Sequence, residues 1–334
     1  MFCILMRTWS LPPLEGRMQT GTHLISAYLT LGNNTHSAGA FAHTRPLISL
    51  ARRWAHYLHR QRKRTGPLTL HIVHNSQLDS GSLSASKGSI VPPGNIVLHQ
   101  APARILARAL PTVDLRWLAY GTIFERLKLG ADACVFAIDL TDVGVIGNLS
   151  ALCERYPDAI VASSDTCAAR TVKRWLRGYA GRANFTLSSR LGDFLLGKVN
   201  RSTPLHNCAI TGGKFAAFEP FRQQMVSAIR RHHQPRRHVP SAPLVPIVGG
   251  LPPESHWVDM LVFNELLLQR ANETGAPTLT GYPRGPVNLP MWSTFCERAP
   301  CGPKVPVTSA CILNRLRSMS PQYFFTHKIK SFEP

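Results

Sequence analysis

Two aspartates three residues apart, Asp139 and Asp142, have the types and spacing best suited to chemistry in this sequence. They follow an apolar run and stand in the segment VFAIDLTDV, where a turn after a strand can bring both carboxylates toward one point. Two close carboxylates repel each other and lose hydration unless a cation lies between them. Their oxygens suit Mg²⁺ or Mn²⁺, which can also bridge to phosphate oxygens. The alternative, in which one aspartate caps the next turn and the other is solvated, remains open at this point.

The elements that must position this pair are strands alternating with helices. Apolar and β-branched runs predict strands over residues 23–32, 69–74, 95–99, 132–138, 158–163 and 206–211. Helical spacing of apolar residues predicts helices over 46–64, 114–128 with Asp114 as N-cap, a long segment from Phe215, and 257–270. This order predicts one α/β domain over residues 21–330, with a mainly parallel, Rossmann-like sheet flanked by helices, after an irregular leader of residues 1–20. In such sheets ligands bind beyond the C-terminal ends of the strands.

Three further motifs follow the aspartate pair in the chain. The first is Asn207-Cys-Ala-Ile-Thr-Gly212-Gly213, the second is Asp259-Met-Leu-Val-Phe-Asn264, and the third is Tyr323-Phe-Phe-Thr-His327-Lys328. In their order and approximate spacing the motifs resemble those of GT-A glycosyltransferases of the D-x-x-D type. This group includes the glycosyltransferase domains of the collagen-modifying lysyl hydroxylases and related eukaryotic enzymes. Two positions depart from that pattern: Ala209 replaces a glycine, and Thr141 stands where an aromatic residue is common.

The resemblance implies a GT-A-like fold and transfer of a sugar from a nucleotide-diphosphate sugar to a glycan, protein or lipid acceptor. It implies Mn²⁺ or Mg²⁺ as the cofactor, with Asp139, Asp142 and His327 as its ligands. By the same resemblance, Asp259 is the candidate catalytic carboxylate. The candidate contacts to the sugar donor are Tyr28, Thr30, Arg116, Asn207, Gly212, Gly213 and Lys328. Whether the reaction retains or inverts the sugar configuration is not encoded in these motifs.

The chain is strongly basic, with 38 Lys and Arg against 18 Asp and Glu and a formal net charge of +20. Such a surface attracts polyanions. The basic residues are dispersed and no nucleic-acid-reading motif accompanies them, so we expect no sequence-specific nucleic-acid partner. We expect the positive charge to keep the protein close to its acceptor or to a membrane surface. A non-catalytic binding protein of the same fold, recognising acidic glycan or nucleic acid, is the alternative. A nucleotidyltransferase would usually have a Gly-rich loop with basic residues directly after the first strand. Residues 31–35 contain one Gly and no Lys or Arg, which disfavours this class.

The eight cysteines form no CxxC pair, which disfavours a zinc cluster. Cys296 and Cys301 are candidates for a short disulfide loop, and Cys134, in an apolar run, is expected to be a buried thiol. N-glycosylation sequons begin at Asn33, Asn148, Asn184, Asn200 and Asn272. They favour a glycoprotein of the Golgi or another secretory lumen. The N-terminal apolar run is too short for a signal peptide, so either an anchor lies outside this chain or the protein is cytosolic.

Overall fold

The structure is a computed structural model. It describes residues 20–29, 47–75, 96–108, 110–140, 143–164, 206–233, 258–273, 278–279, 287–288 and 325–327. All statements below concern these residues. Most of the predicted leader, together with Cys296 and Cys301, lies outside them.

A seven-stranded sheet forms the centre of the described part, in the order β3-β2-β1-β4-β7-β6-β8. Its strands are β1 (Thr22–Tyr28), β2 (Leu68–His74), β3 (Ile96–Gln100), β4 (Cys134–Ile138), β6 (Ile160–Ser164), β7 (His206–Lys214) and β8 (Thr278–Leu279). β7 runs antiparallel to β4 and β6, and the other neighbouring strands are parallel. The predicted mainly parallel sheet is therefore confirmed. β5 (Val143–Val145), which follows β4, belongs to a second, smaller sheet.

Helices cover both faces of the large sheet. They are α1 (Leu47–Thr65), α2 (Ala103–Leu106), α3 (Thr112–Leu127), α4 (Leu149–Arg155), α5 (Phe215–His233) and α6 (Asp259–Glu273). Strand residues alternate between the two faces, so Ile25 and Ala27 pack in one core with α3, α5 and α6. Leu24 and Tyr28 point the other way and pack in a second core with α1 and α4. This two-sided burial explains why the strands are almost continuously apolar.

The smaller sheet lies directly after β4 in the chain. It has the order β5-β10-β9, with β9 at Val287–Asn288 and β10 at Phe325–His327. β10 runs antiparallel to β5, and His327 is in register with Val143. The backbone near the C-terminus is thereby brought to the segment that follows Asp139 and Asp142.

The prediction that Asp114 is the N-cap of its helix is wrong. α3 begins at Thr112, its N-cap is Pro111, and no side chain caps it. Proline is suited to a helix start because its missing N–H would have had no intrahelical partner. Asp114 instead lies in the first turn, fully buried, and hydrogen-bonds to other elements of the fold.

The prediction that Cys134 is a free buried thiol is also wrong. Cys134, the first residue of β4, forms a disulfide with Cys153 in α4. Both cysteines are buried in the core between the sheet and α4. Their apolar surroundings suit a free thiol equally well, so only the packing of α4 against β4 reveals the bond.

Reduction of the Cys134–Cys153 disulfide should lower the free energy of unfolding by about 3 kcal/mol, because the bond closes a loop with a sequence separation of 19. Urea unfolding with and without dithiothreitol measures this. A Cys134→Ser/Cys153→Ser variant should match the reduced protein and respond much less to reductant. Equal responses of both proteins would show that another bond carries the effect.

Three buried histidines form a hydrogen-bonded chain across three neighbouring strands. Nδ1 of His23 in β1 lies 3.1 Å from Nε2 of His71 in β2, and Nδ1 of His71 lies 3.0 Å from Nε2 of His99 in β3. Burial, then the neighbouring His99 and His23, lowers the pKa of His71 to about 3. Burial and the nearby Arg126 and His74 lower the pKa of His99 to about 4. These three histidine side chains are therefore uncharged at physiological pH.

These histidines should make the fold acid-sensitive below pH 6.5. The unfolded state binds protons near pH 6.5 and the folded state only near pH 3 to 4, so stability falls as pH drops through that window. Each group contributes about 1.4 kcal/mol per pH unit. Burial also lowers the pKa of His206, which is not one of these three histidines, to about 4, so His206 acts in the same direction. Asp114, whose pKa is raised by burial to about 6, acts in the opposite direction below that pH.

Chemical unfolding between pH 7 and pH 4.5 measures this dependence. His206→Phe should reduce the slope by about one proton, because a phenylalanine cannot titrate. The two hydrogen bonds between residue 206 and the side chain of Asn264 involve only the backbone of residue 206, so the substitution leaves them in place. His56→Gln, at an exposed position, is the control and should leave the slope unchanged. A flat stability profile would contradict the prediction.

Candidate functional site

Three charged side chains meet at the C-terminal edge of the central strand β4. Asp139 directly follows β4, Arg116 comes from the second turn of α3, and Asp259 is the first residue of α6. Nη1 of Arg116 donates to Oδ1 of Asp139 at 2.7 Å, and Nη2 donates to Oδ2 of Asp259 at 2.9 Å. Arg116, Asp139 and Asp259 are 4%, 8% and 3% exposed, so the cluster is almost fully removed from water.

Among the residues that the structure describes, the cluster contains two carboxylates and one guanidinium. Burial by itself lowers the pKa of Arg116, but Cys208, Asp139 and Asp259 outweigh it and hold the pKa well above its ordinary value. Arg116 is therefore always a cation. One guanidinium faces two carboxylates, and a surplus negative charge at low dielectric attracts a further cation.

Cys208 of β7 completes this cluster and was not identified from the sequence. Nη2 of Arg116 lies 2.7 Å from its sulfur, and the thiol donates to Oδ2 of Asp259 at 3.3 Å. Burial raises the pKa of Cys208 well above its ordinary value, so it is a thiol at neutral pH. Strand alternation places Cys208 on the sheet face that α3 and α6 cover. That alternation is the signal that would have identified it.

Asp114 positions Asp259 through the backbone of α6. Oδ1 of Asp114 accepts hydrogen bonds from the amides of Val258 at 3.2 Å and Asp259 at 2.9 Å. A carboxylate at this place accepts hydrogen bonds from amides that have no partner within α6. Its negative charge also interacts favourably with the positive end of the α6 helix dipole. His233, at the end of α5, lies 2.7 Å from Oδ2 of the same carboxylate. Asp114 thus ties α3, α5 and α6 together next to the cluster.

Two aromatic side chains of α1 hold the backbone just after Asp139 and at the end of β5. Nε1 of Trp54 donates to the carbonyl of Leu140 at 2.9 Å, and the hydroxyl of Tyr57 donates to the carbonyl of Val145. Trp54 is fully buried on the face of α1 that packs against the sheet. Its hydrogen bond adds a positioning role that hydrophobic spacing does not reveal.

Tyr28 and Asn207 lie at the same sheet edge as Asp139. Tyr28 ends β1 three residues beyond Ile25, which is in register with Ala137 of β4. It is 7% exposed and packs in the core with α1, and burial raises its pKa. Asn207 stands near the start of β7, and its Oδ1 accepts from the amide of Ala209 at 2.8 Å.

Gly212 and Gly213 lie farther along β7, toward the edge of the sheet that is opposite to Asp139. They are in register with Phe136 and Val135, so they lie beside the start of β4 and not beside Asp139. A Cβ at Gly212 would come within 2.2 Å of the Val135 carbonyl oxygen, and one at Gly213 within 2.5 Å of the Ala159 carbonyl oxygen. Their placement therefore favours a role in close strand packing over the expected contact to a sugar donor.

Thr30, Asp142 and Lys328 lie outside the described residues, and of His327 only the backbone is described. Of the predicted metal ligands Asp139, Asp142 and His327, the structure therefore describes the side chain of Asp139 and, for His327, only the backbone pairing of β10 with β5. Within the part of the chain whose side chains are described, no three His, Cys, Asp or Glu residues form a metal-binding group.

Comparison with known proteins finds no matching family model and no matching curated protein. Among solved structures, a galactosyltransferase, LgtC, in complex with donor and acceptor sugar analogues aligns over 93% of this chain and 88% of its own, with a TM-score of 0.44 and 12% identity. An active-site mutant of LgtC aligns with a TM-score of 0.46, 11% identity and coverage of 93% and 89%. The glycosyltransferase GlyE of Streptococcus pneumoniae aligns over 95% of this chain and 56% of its own, with a TM-score of 0.36 and 11% identity. At these scores, the assignment of function rests on the residues of this chain.

Proposed function

We propose that this protein is a metal-dependent glycosyltransferase that uses a nucleotide-diphosphate sugar. The observation that carries the proposal is the buried Arg116–Asp139–Asp259 cluster at the C-terminal edge of β4. This is the edge at which α/β sheets bind ligands. A single carboxylate would be enough to neutralise the charge of Arg116. Burial of the second carboxylate costs desolvation free energy. A bound cation, or positive charge that develops during the reaction, would offset that cost.

Asp139, Asp142 and His327 are the residues that would hold the metal, as Mn²⁺ or Mg²⁺. Two carboxylates and an imidazole are a donor set that suits Mn²⁺. The surplus negative charge around Asp139 fits a divalent cation, and the register of His327 with Val143 supports the inclusion of His327. When bound, the metal would neutralise charge on the leaving diphosphate. Lys328, next to His327, would add a cationic contact to the phosphates.

Arg116 acts in this proposal by orienting Asp139 and Asp259. Its Nη1 and Nη2 atoms each donate to a carboxylate, so we assign this role to it in place of a direct contact to the sugar donor. Asp259, which accepts a hydrogen bond from Arg116, is the carboxylate that would stabilise positive character on the reacting sugar carbon. Asn207, Tyr28 and Thr30 remain candidates for contacts to the sugar hydroxyls and the nucleotide.

A panel of nucleotide-diphosphate sugars, assayed for release of the nucleotide diphosphate with Mn²⁺ and with excess chelator, tests this proposal. We expect release with at least one sugar donor in Mn²⁺ and its loss in chelator. Full activity in chelator would contradict the metal. Binding of acidic glycan without turnover of any sugar donor would instead indicate the non-catalytic binding protein.

We further propose that the protein works in the Golgi or another secretory lumen. The Cys134–Cys153 disulfide supports this location because disulfides persist in oxidising compartments. In the described residues no helix has the length and hydropathy needed to span a bilayer. The acceptor would be a glycan, protein or lipid. The net charge of +20 would favour an acidic acceptor or a nearby anionic membrane surface.

A further inference from the structure

A concave site lies between the helices α2, α3 and α5. It is a groove of about 590 Å³ between these three helices. Among the residues that the structure describes, its lining includes five arginines and one carboxylate, that of Glu125. The arginines are Arg104, Arg108, Arg222, Arg230 and Arg231. We call this site the arginine groove.

The lining of the arginine groove also contains three buried apolar side chains. They are Ile105, Leu118 and Val226, one from each helix. Gly121 of α3 lets the guanidinium of Arg222 approach, because a Cβ there would lie 3.0 Å from Nη1 of Arg222. Nη1 of Arg222 also donates to the carbonyl of Trp117 at 2.9 Å. The helix backbone therefore holds Arg222 rigidly at the base of the groove.

Two of the five arginines are neutralised by carboxylates. Arg222 forms an ion pair with Glu219, and Arg104 forms an exposed pair with Glu125. Arg108, Arg230 and Arg231 form no ion pair with any residue that the structure describes. Burial, then the charges of Arg108 and Arg222, lowers the pKa of Arg230. The positive charges thus lie close enough to repel one another, and an anion between them would relieve that repulsion.

The arginine groove is separate from the candidate functional site. Both sites use α3, but Arg116 and Asp114 contact the cluster near Asp139, whereas Leu118, Gly121 and Glu125 line the groove. None of the groove arginines contacts Asp139 or Asp259. A ligand in the groove would therefore be a second ligand, bound independently of the sugar donor.

We propose that the arginine groove binds an oligoanion that carries two or more closely spaced phosphate or sulfate groups. Guanidinium groups suit this ligand because their planar fork donates two parallel hydrogen bonds to an oxyanion. Several uncompensated arginines in one concavity favour several linked anionic groups over one. The apolar side chains of the lining can meanwhile contact the carbon skeleton that links these groups. A concave site of this volume fits a discrete ligand better than it fits a flat membrane surface.

Two sources offer this chemistry, a sulfated oligosaccharide and a soluble polyphosphate. Calorimetry of the full chain at 150 mM salt, with a sulfated tetrasaccharide and with inorganic tripolyphosphate as separate ligands, distinguishes them. We expect saturable binding of at least one. Binding of only the tetrasaccharide would identify the sulfated sugar as the source, and binding of only tripolyphosphate would identify the phosphate compound.

The decisive variant is Arg108→Gln/Arg230→Gln, which removes two charges from the groove. It should weaken binding about tenfold or more, because it removes two charged hydrogen-bond donors that would contact the anion. Arg60→Gln/Arg62→Gln is the matched control, since it removes two exposed charges from α1 and the same net charge. The control should bind within about twofold of the unmodified protein.

Three outcomes would overturn the proposal. The first is an equal loss in both variants, which would show attraction to the net charge alone. The second is the absence of saturable binding to either ligand. The third is binding to vesicles of anionic phospholipid with no binding of the soluble oligoanions, which would identify the surface as a membrane contact. Because binding is measured directly, none of these results depends on the proposed sugar transfer.

Discussion

Replacing Asp139 with asparagine should reduce sugar transfer by about a thousandfold while the protein remains folded. The asparagine oxygen can still accept the hydrogen bond from Arg116, which preserves most of the packing. It carries no charge, so the proposed metal would lose an anionic ligand and several kcal/mol of transition-state stabilisation. Steady-state turnover as a function of Mn²⁺ concentration measures this, and the variant should also need more Mn²⁺ for half-maximal rate.

The matched control for this substitution is Asp132→Asn. Asp132 precedes β4, its side chain is 80% exposed, and its partner is the surface residue Lys214. This variant should keep normal turnover and a normal Mn²⁺ requirement. Thermal unfolding of both variants separates loss of the site from loss of the fold. A folded Asp139→Asn protein with unchanged turnover would show that Asp139 is not part of the active site.

Replacing Arg116 with methionine should destabilise the protein by about 3–5 kcal/mol, because it leaves two carboxylates buried without their cation. Asp139 and Asp259 are almost fully buried and cannot turn to water without moving the end of β4 or the start of α6. Urea unfolding at pH 7 measures the change. Arg104→Met is the control, since the Arg104–Glu125 pair is exposed and its loss should cost less than about 1 kcal/mol.

A second substitution distinguishes buried charge from lost packing. Adding Asp259→Asn to Arg116→Met removes one of the orphaned carboxylates. It should recover a measurable part of the lost stability, as expected for residues in direct contact. If the effects of the two substitutions simply add, the cost of Arg116→Met comes from packing, and the electrostatic description of the cluster is wrong.

The sequence alone was sufficient to predict six strands of the large sheet, the four longest described helices and the fold class. An apolar run such as Cys134–Ile138 predicts a buried strand, because burial on both faces leaves little room for polar residues. It also predicts that Asp139 stands at the end of that strand. Helical spacing likewise predicted α1 to within a residue at each end, because one face must be apolar to cover the sheet. These features depend on near neighbours in the chain, so periodicity reveals them.

Only the tertiary structure decided which side chains meet. Arg116 and Asp259 are 143 residues apart in the chain, and they form an ion pair because α3 and α6 pack on the same sheet face. The same packing makes Asp114 a cap for α6 instead of for its own helix. The disulfide of Cys134 and the histidine chain likewise depend on which elements lie side by side. No pattern along the sequence specifies that arrangement, because a carboxylate, thiol or imidazole takes its partner from whichever element packs beside it.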